Sequence, residues 1–129
     1  MFWAMAPYSD MSLIDGDNLE DSAHLFKIFN QSFHGNLVNS QSSDPNKVKI
    51  YAVANQTNTD THAFSLINRT ANSQAINLTF NNWLPSEVTW NLWDADNDFT
   101  TRNISWTDLN KSSFVLSPYS VNLFVGQNN

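Results

Sequence analysis

The stretch of sequence that decides the fold is SFVLSPYSVNLFV, residues 113–125. Apolar side chains recur there at every second position, on both sides of a Ser-Pro-Tyr-Ser break: Phe114, Leu116, Val121, Leu123 and Val125. A period of two is that of a β-strand, whose successive side chains point to opposite faces of a sheet. Pro and Ser between two such runs are typical of a turn. The stretch therefore predicts two short strands with a turn between them.

The same period of two continues back along the chain to about residue 46. The alternating segments are 48–52, 64–66, 76–80, 88–92 and 104–106. The segments between them are short and rich in Asn, Asp, Ser and Thr. Seven or eight short strands at this spacing are typical of an antiparallel β-sandwich, in which one face of each strand is dry and the other wet. We therefore predict an all-β fold, an antiparallel sandwich of about seven to eight strands.

A different period precedes the strands. Leu25, Phe26, Ile28, Phe29 and Phe33 fall near the spacing of one helical stripe, so residues 19–33 are predicted to form a single N-terminal helix. Gly35 is a natural end for it. We accordingly divide the chain into a lead-in segment at 1–35 and a sandwich domain at 36–129.

Composition excludes several classes of protein. The chain has 129 residues, a net charge of −6 and only six Lys and Arg, which do not supply the basic stripe of a nucleic-acid binder. No apolar run is long enough to predict a membrane span, and without cysteine there are no disulfides or thiolate metal sites. Only 14% of residues are charged. The polar surface is therefore mainly amide and hydroxyl, which suits a secreted or extracellular protein that handles neutral sugars.

Three of the strand segments resemble a known family. Residues 113–125 are similar to the final hairpin of the C-terminal β-sandwich in glycoside hydrolases of the large (β/α)8-barrel clan. Segments 47–53 and 63–70 resemble two earlier strands of that sandwich, in the same order. Residues 2–5 resemble a last barrel strand, and the helix at 19–33 resembles the last barrel helix. Cellulase-, arabinofuranosidase-, xylosidase- and agarase-like parents all stay open.

This resemblance implies a non-catalytic accessory domain that packs on a catalytic barrel and stabilises it. Glycoside hydrolysis needs two carboxylates facing each other across the scissile bond. The chain has two glutamates, Glu20 at the start of the helix and Glu87 at the entry to a strand, and neither lies in a barrel-strand context. We therefore expect no catalysis by this chain. The expected partners are the catalytic barrel of a parent enzyme, a polysaccharide, or both.

Tryptophan residues are the candidates for sugar contact, because the C–H face of a sugar ring packs on a flat aromatic ring. Trp90 shares a strand face with Val88 and Leu92, so it is predicted to lie in the core. Trp83, Trp93 and Trp106 fall in a loop or near strand ends. They are predicted either to bind carbohydrate or to pack at an edge or domain interface. Two alternatives therefore stay open, a free-standing carbohydrate-binding module and an adhesion or scaffolding sandwich.

Acidic residues at alternate positions in 94–98 resemble the oxygen-rich spacing of calcium loops. A full EF-hand loop would need Gly at its sixth position and Glu at its twelfth, where this chain has Phe99 and Ser105. Asp and Asn are also common in hairpin turns. The turn is the favoured interpretation, and no metal or other cofactor is predicted, with calcium at this turn kept as the alternative.

Overall fold

The computed structural model describes residues 14–15, 18–19, 21–55, 61–83, 85–97, 100–109 and 114–128. Its elements in chain order are β1 (Ile14–Asp15), β2 (Asn18–Leu19), α1 (Asp21–Ser32), β3 (Asn36–Val38), β4 (Val48–Ala54), β5 (Thr61–Asn68), β6 (Gln74–Ile76), β7 (Pro85–Trp93), β8 (Thr100–Ser105), α2 (Trp106–Leu109), β9 (Phe114–Leu116) and β10 (Val121–Asn128). The helix predicted at 19–33 is confirmed as α1. The segment at 2–5 that resembles a barrel strand lies outside the described residues.

Six strands form one large antiparallel sheet in the order β3-β4-β5-β10-β7-β8. A second, two-stranded sheet of β6 and β9 faces it, and β1 pairs with β2 separately. The late strand β10 lies between β5 and β7, so that Phe124 is opposite both Phe64 and Trp90. The predicted antiparallel β-sandwich with one helix before it is confirmed.

Aromatic rings fill the inner face of the large sheet, which is the side turned toward the small sheet. Phe124 stacks on Phe64, with ring centroids 4.6 Å apart, and on Trp90 at 5.9 Å. Leu116 of β9 and Leu109 of α2 are fully buried in the same cluster. Large aromatic side chains contribute much of the free energy of burial in a core. This cluster therefore holds the two layers together.

Helix α1 covers part of the opposite, outer face. Ile28, Phe29 and Phe33 pack against a buried group of Val53, Ala63 and Leu123, one each from β4, β5 and β10. Ile28 and Phe29 of α1, and Phe33 one residue after it, belong to the apolar stripe predicted from the sequence, and their burial accounts for the helix forming at this place. Phe26, predicted to share that stripe, is 43% exposed. Strands β5 and β10 consequently have buried residues on both faces, and the expectation of one wet face does not hold for them. Their central position in the sheet is the physical reason.

The predicted final hairpin is not a hairpin. β9 pairs with β6 in the small sheet, whereas β10 pairs with β5 and β7 in the large one. Residues 117–120 therefore carry the chain from one layer to the other. The side chain of Asn68 donates a hydrogen bond to the carbonyl of Ser117 at 2.7 Å, and the backbone N–H of Tyr119 donates to the carbonyl of Thr70 at 2.9 Å. These bonds fix the crossing.

Two strand predictions end early in the structure. Of the predicted segment 76–80, only Ile76 lies in a strand, as the last residue of β6. Leu78 and Phe80 still pack against the core. Trp106 begins α2 instead of ending a strand. The side chain of Ser105 accepts a hydrogen bond from the backbone N–H of Asp108, which caps this short helix.

Candidate functional site

The outer face has a second half, formed by β7 and β8, that carries polar side chains. We call it the polar half, and its residues are Glu87, Thr89, Asn91, Trp93, Thr101, Asn103 and Ser105. Three cross-strand pairs order it: Glu87 with Ser105, Thr89 with Asn103, and Asn91 with Thr101. The β8 residues and Glu87 are exposed, while Thr89, Asn91 and Trp93 are half-buried. Amides and hydroxyls therefore line a solvent-facing surface with one carboxylate at its end.

Hydrogen bonds orient three side chains of the polar half. The hydroxyl of Thr101 donates to the side-chain carbonyl of Asn91 at 2.8 Å. The hydroxyl of Ser105 donates to the carboxylate of Asp108 at 2.7 Å and is thereby engaged in the cap of α2. Sequence reasoning did not find Asn91, Thr101 and Asn103 as candidates. Alternation along β7 could have placed Asn91 on the outer face, but only the pairing with β8 puts Thr101 beside it.

Trp83, predicted to contact carbohydrate, lies inside the sandwich. Its side chain is 6% exposed, and its ring meets those of Phe64, Phe80 and Trp106 with centroids 5.3 to 5.5 Å apart. Gly126 allows this close approach, because a Cβ at that position would come within 2.8 Å of the indole. The ring of Trp83 is therefore packed among other aromatic side chains of the core.

Trp106 packs beside Trp83 at the same end of the core. Its ring centroid is 4.6 Å from that of Phe80, and the residue is half-buried. Trp90 packs against the core as predicted, and its indole N–H donates to the side-chain carbonyl of Asn122 at 3.1 Å. The guanidinium of Arg102 lies over its ring, 5.6 Å from the centroid. These contacts make Trp90 and Trp106 part of the packing between the layers.

Trp93 is set apart from the other described tryptophans. It is the last residue of β7, half-buried, and pairs with Val121 on the outer side of the sheet. The structure thus brings Trp83 and Trp106 together in the core and leaves Trp93 at the border of the polar half. The three residues do not form one shared platform, and a sugar-binding role for any of them stays a prediction.

A groove of about 400 Å³ opens between β4 and β6. Its lining includes the apolar side chains of Val48, Ile50 and Leu66 and the polar side chains of Gln41, Ser42 and Gln74. Asp44 is the one carboxylate among its lining residues, and it forms an ion pair with Lys47 at 3.2 Å. Among the described residues that line this groove there is no second carboxylate to oppose Asp44, whereas glycoside hydrolysis requires two.

Asp94 organises the turn between β7 and β8. One carboxylate oxygen accepts hydrogen bonds from the backbone N–H groups of Asp96 and Asn97 and from the side chain of Asn97, at 2.8 to 3.0 Å. Burial alone would raise the pKa of Asp94, but hydrogen bonds from the side chains of Asn97 and Ser117 and from this backbone outweigh it and lower that pKa. The favoured turn is therefore present. Asp98 lies outside the described residues, and calcium binding here stays untested.

Two further findings concern the described part of the chain only. No group of three or more acidic or histidine side chains within it could hold a metal ion. None of its helices is long and apolar enough to cross a membrane. Glu87 is exposed on the polar half, and Glu20 lies outside the described residues.

No family model matches the chain, and no curated protein matches its sequence. Solved structures do match its fold. A β-porphyranase of glycoside hydrolase family 86 from the human gut bacterium Bacteroides plebeius aligns over 92% of this chain, with a TM-score of 0.70 and 20% identity. A GH30 endoxylanase from Clostridium papyrosolvens C71 aligns over 84%, with a TM-score of 0.67 and 19% identity. A glycoside hydrolase family 44 endoglucanase from Clostridium acetobutylium aligns over 74%, with a TM-score of 0.60 and 18% identity.

The aligned region is a small part of each of these proteins. This chain covers 22% of the family 86 enzyme, 28% of the GH30 enzyme and 20% of the family 44 enzyme. At such low identity the likeness is one of fold. The resemblance that the sequence suggested is confirmed at that level, since glycoside hydrolases of three families contain a region with this sandwich.

Proposed function

We propose that this chain is a non-catalytic accessory domain of a secreted, polysaccharide-degrading glycoside hydrolase, and that it stabilises the catalytic domain of that enzyme. The observation that carries the proposal is the shared sandwich, which makes up only 20 to 28% of three such enzymes. The rest of each of these enzymes, about three quarters of its chain, lies outside the region that this chain matches. Fold likeness alone does not establish function, so the acids and the surface of the chain must also agree.

The acidic side chains that the structure describes agree with a non-catalytic role. Asp44, in the groove between β4 and β6, is paired with Lys47, and Asp94 is engaged in its turn. Glu87 stands on an open sheet face beside Ser105. Neither Asp44 nor Glu87 lies in an enclosed cleft lined by two carboxylates, the arrangement that glycoside hydrolysis requires. Bond cleavage is therefore assigned to another domain of the parent enzyme.

An exposed apolar edge supports contact with such a domain. Leu37 of the edge strand β3 is 80% exposed, and Val38 and Tyr51 beside it are exposed as well. Leu37 and Tyr51 stand on the same face as Val53, next to the site where α1 packs. Exposed apolar clusters at a sheet edge usually mark an interface, because such an edge otherwise invites aggregation. We assign this edge to the catalytic domain.

The test begins with the gene that encodes this chain. The encoded protein is expected to contain a second domain with two opposed glutamates and to hydrolyse a polysaccharide, while the 129-residue chain cleaves none. Leu37→Asp is expected to lower the melting temperature of the complete enzyme by several degrees and to leave that of the 129-residue chain unchanged. Cleavage by the 129-residue chain, or a gene without a carboxylate-bearing catalytic domain, would overturn the proposal.

A further inference from the structure

The polar half of the outer face presents a regular array of hydrogen-bonding groups. Side chains directly opposite each other on antiparallel strands lie about 5 Å apart, and those two residues apart along a strand about 7 Å. From Glu87 to Trp93 the array is about 20 Å long, at roughly 3.3 Å per residue. Thr89 faces Asn103 and Asn91 faces Thr101 within it. A surface of this length can contact several residues of a linear polymer.

The chemistry of this array is that of a neutral surface. Glu87 is the only residue of the polar half with a charged side chain, and Arg102 of the same strand pair is turned to the inner face over Trp90. Edge strands such as β8 often carry charged side chains, especially Lys, on their exposed positions. The bond from Thr101 uses the carbonyl oxygen of Asn91, and the described structure shows no bond to its amide nitrogen, which carries two N–H donors.

Trp93 adds an aromatic ring at one end of this array. It stands in a row of outer-face residues with Val121 and Ile67, beside the row that holds Asn91 and Thr101. A sugar ring needs both kinds of partner, a flat aromatic face for its C–H groups and amides or hydroxyls for its O–H groups. An acidic polymer would instead meet Glu87 and a chain of net charge −6.

We infer that the polar half binds a neutral polysaccharide, with Trp93 stacking on one sugar ring and Asn91, Thr101 and Asn103 bonding hydroxyls of the next ones. The choice of a glycan as ligand rests on the proposed function. The surface itself lies on β7 and β8, beside the part of the outer face on which α1 packs.

Affinity electrophoresis of the 129-residue chain tests this inference. Native gels would contain hydroxyethylcellulose, arabinoxylan, xyloglucan or agarose as neutral probes, and polygalacturonate as an acidic probe. At least one neutral probe is expected to slow the chain, and polygalacturonate is not. Trp93→Ala and Asn103→Ala are each expected to weaken binding about tenfold, which corresponds to about 1.4 kcal/mol. Tyr51→Ala, an aromatic truncation at an exposed position of β4 on the same face, is the matched control and should bind as the unmodified chain does.

Asn103 is exposed, so its truncation keeps the test valid if Trp93→Ala does not fold. Migration that no neutral probe slows, or slowing that survives both Trp93→Ala and Asn103→Ala, would overturn the inference. If the complete enzyme hydrolyses a polysaccharide while this chain binds none of the probes, the sugar surface is wrong and the accessory role stands. If the chain binds but no catalytic domain accompanies it in the gene, the accessory role is wrong and the surface stands.

Discussion

The inner and outer faces of the six-stranded sheet are made by alternate residues of the same strands, yet they are filled differently. The inner face holds stacked aromatic rings, such as Phe64, Phe124 and Trp90, and is closed by the small sheet and α2. The outer face has aliphatic residues under α1 at one half and amides and hydroxyls at the other. Burial of the inner face is thus a property of the sandwich, while burial of the outer face depends on a single helix. Mutations on the two faces should therefore have different consequences.

The largest effect is expected for Phe124→Ala on the inner face. Phe124 is fully buried between Phe64 and Trp90, so its removal leaves a cavity that the stacked rings cannot refill. We expect the free energy of unfolding to fall by about 3–5 kcal/mol. Equilibrium unfolding in urea measures it. A loss below about 1 kcal/mol would mean that the aromatic cluster does not hold the layers together.

A smaller effect is expected for Leu123→Ala, the neighbouring residue on the outer face. Leu123 is buried beneath α1, and we expect a loss of about 2–3 kcal/mol. Amide hydrogen exchange should also become faster in α1, because the helix is stable only through its packing. The control is Phe124→Ala, whose exchange in α1 is measured under conditions that give both variants the same free energy of unfolding. Unchanged exchange in α1 would contradict the packing of the helix on this face.

A pair of serines sharpens the comparison further. The hydroxyl of Ser65, on the outer face of β5, is buried with no hydrogen-bond partner in the described structure. The hydroxyl of Ser120 donates to the carbonyl of Ser117 at 2.8 Å and accepts from the side chain of Asn122 at 3.0 Å. Ser120→Ala should cost about 1–2 kcal/mol, whereas Ser65→Ala should be neutral or stabilise by up to about 1 kcal/mol. Urea unfolding measures the change in stability for each variant. An equal loss for both would contradict the difference in hydrogen bonding between Ser65 and Ser120.

The smallest effect concerns the turn that joins the two strands of the polar half. The pKa of Asp94 is lower in the folded chain than in the unfolded chain, where it is near 3.8. Its ionised form therefore stabilises the fold above the unfolded pKa. This contribution is lost as the pH falls through the folded pKa. Between about pH 5 and pH 2 the Asp94→Asn variant should therefore lose less stability than the unmodified chain does. The difference should stay below about 1 kcal/mol, because the group is partly solvated. Melting temperatures at both pH values measure it, with Asp96→Asn as the control, and an unchanged pH slope would exclude this role of Asp94.

Alternation along the strands predicted most of the large sheet, and the apolar stripe predicted α1. Both patterns are local, so the sequence displays them directly. The break at residues 117–120 showed that a turn is present but not that it crosses between layers, because that depends on the distant partners Asn68 and Thr70. The buried outer side of β10 could not be predicted either. Alternation of apolar and polar residues assigns one buried face to each strand, whereas a central strand that also lies beneath a helix has two buried faces.

The candidate site was predicted less well, for a related reason. Trp83 follows two Asn residues and stands two positions before Pro85, which indicated a loop. The loop folds inward because Gly126 leaves room for the indole, and nothing near Trp83 in the sequence announces that space. Trp93 could be placed near a strand end from its register alone. The pairing that joins Asn91 to Thr101 follows from the turn at Asp94, whose presence was predicted but whose register was not.

The position of β10 also has a consequence for the order in which the molecule is made. This strand is the last one described, yet it occupies the middle of the large sheet and joins β4–β5 to β7–β8. During synthesis the earlier hairpins emerge from the ribosome with their central edges unpaired, and they must wait until residues 121–128 are translated. Because these pairings bridge distant parts of the sequence, assembly of the sheet should be slow for a domain of this size. Nascent chains stalled before residue 121 should therefore be sensitive to proteolysis and become resistant only when β10 has been released.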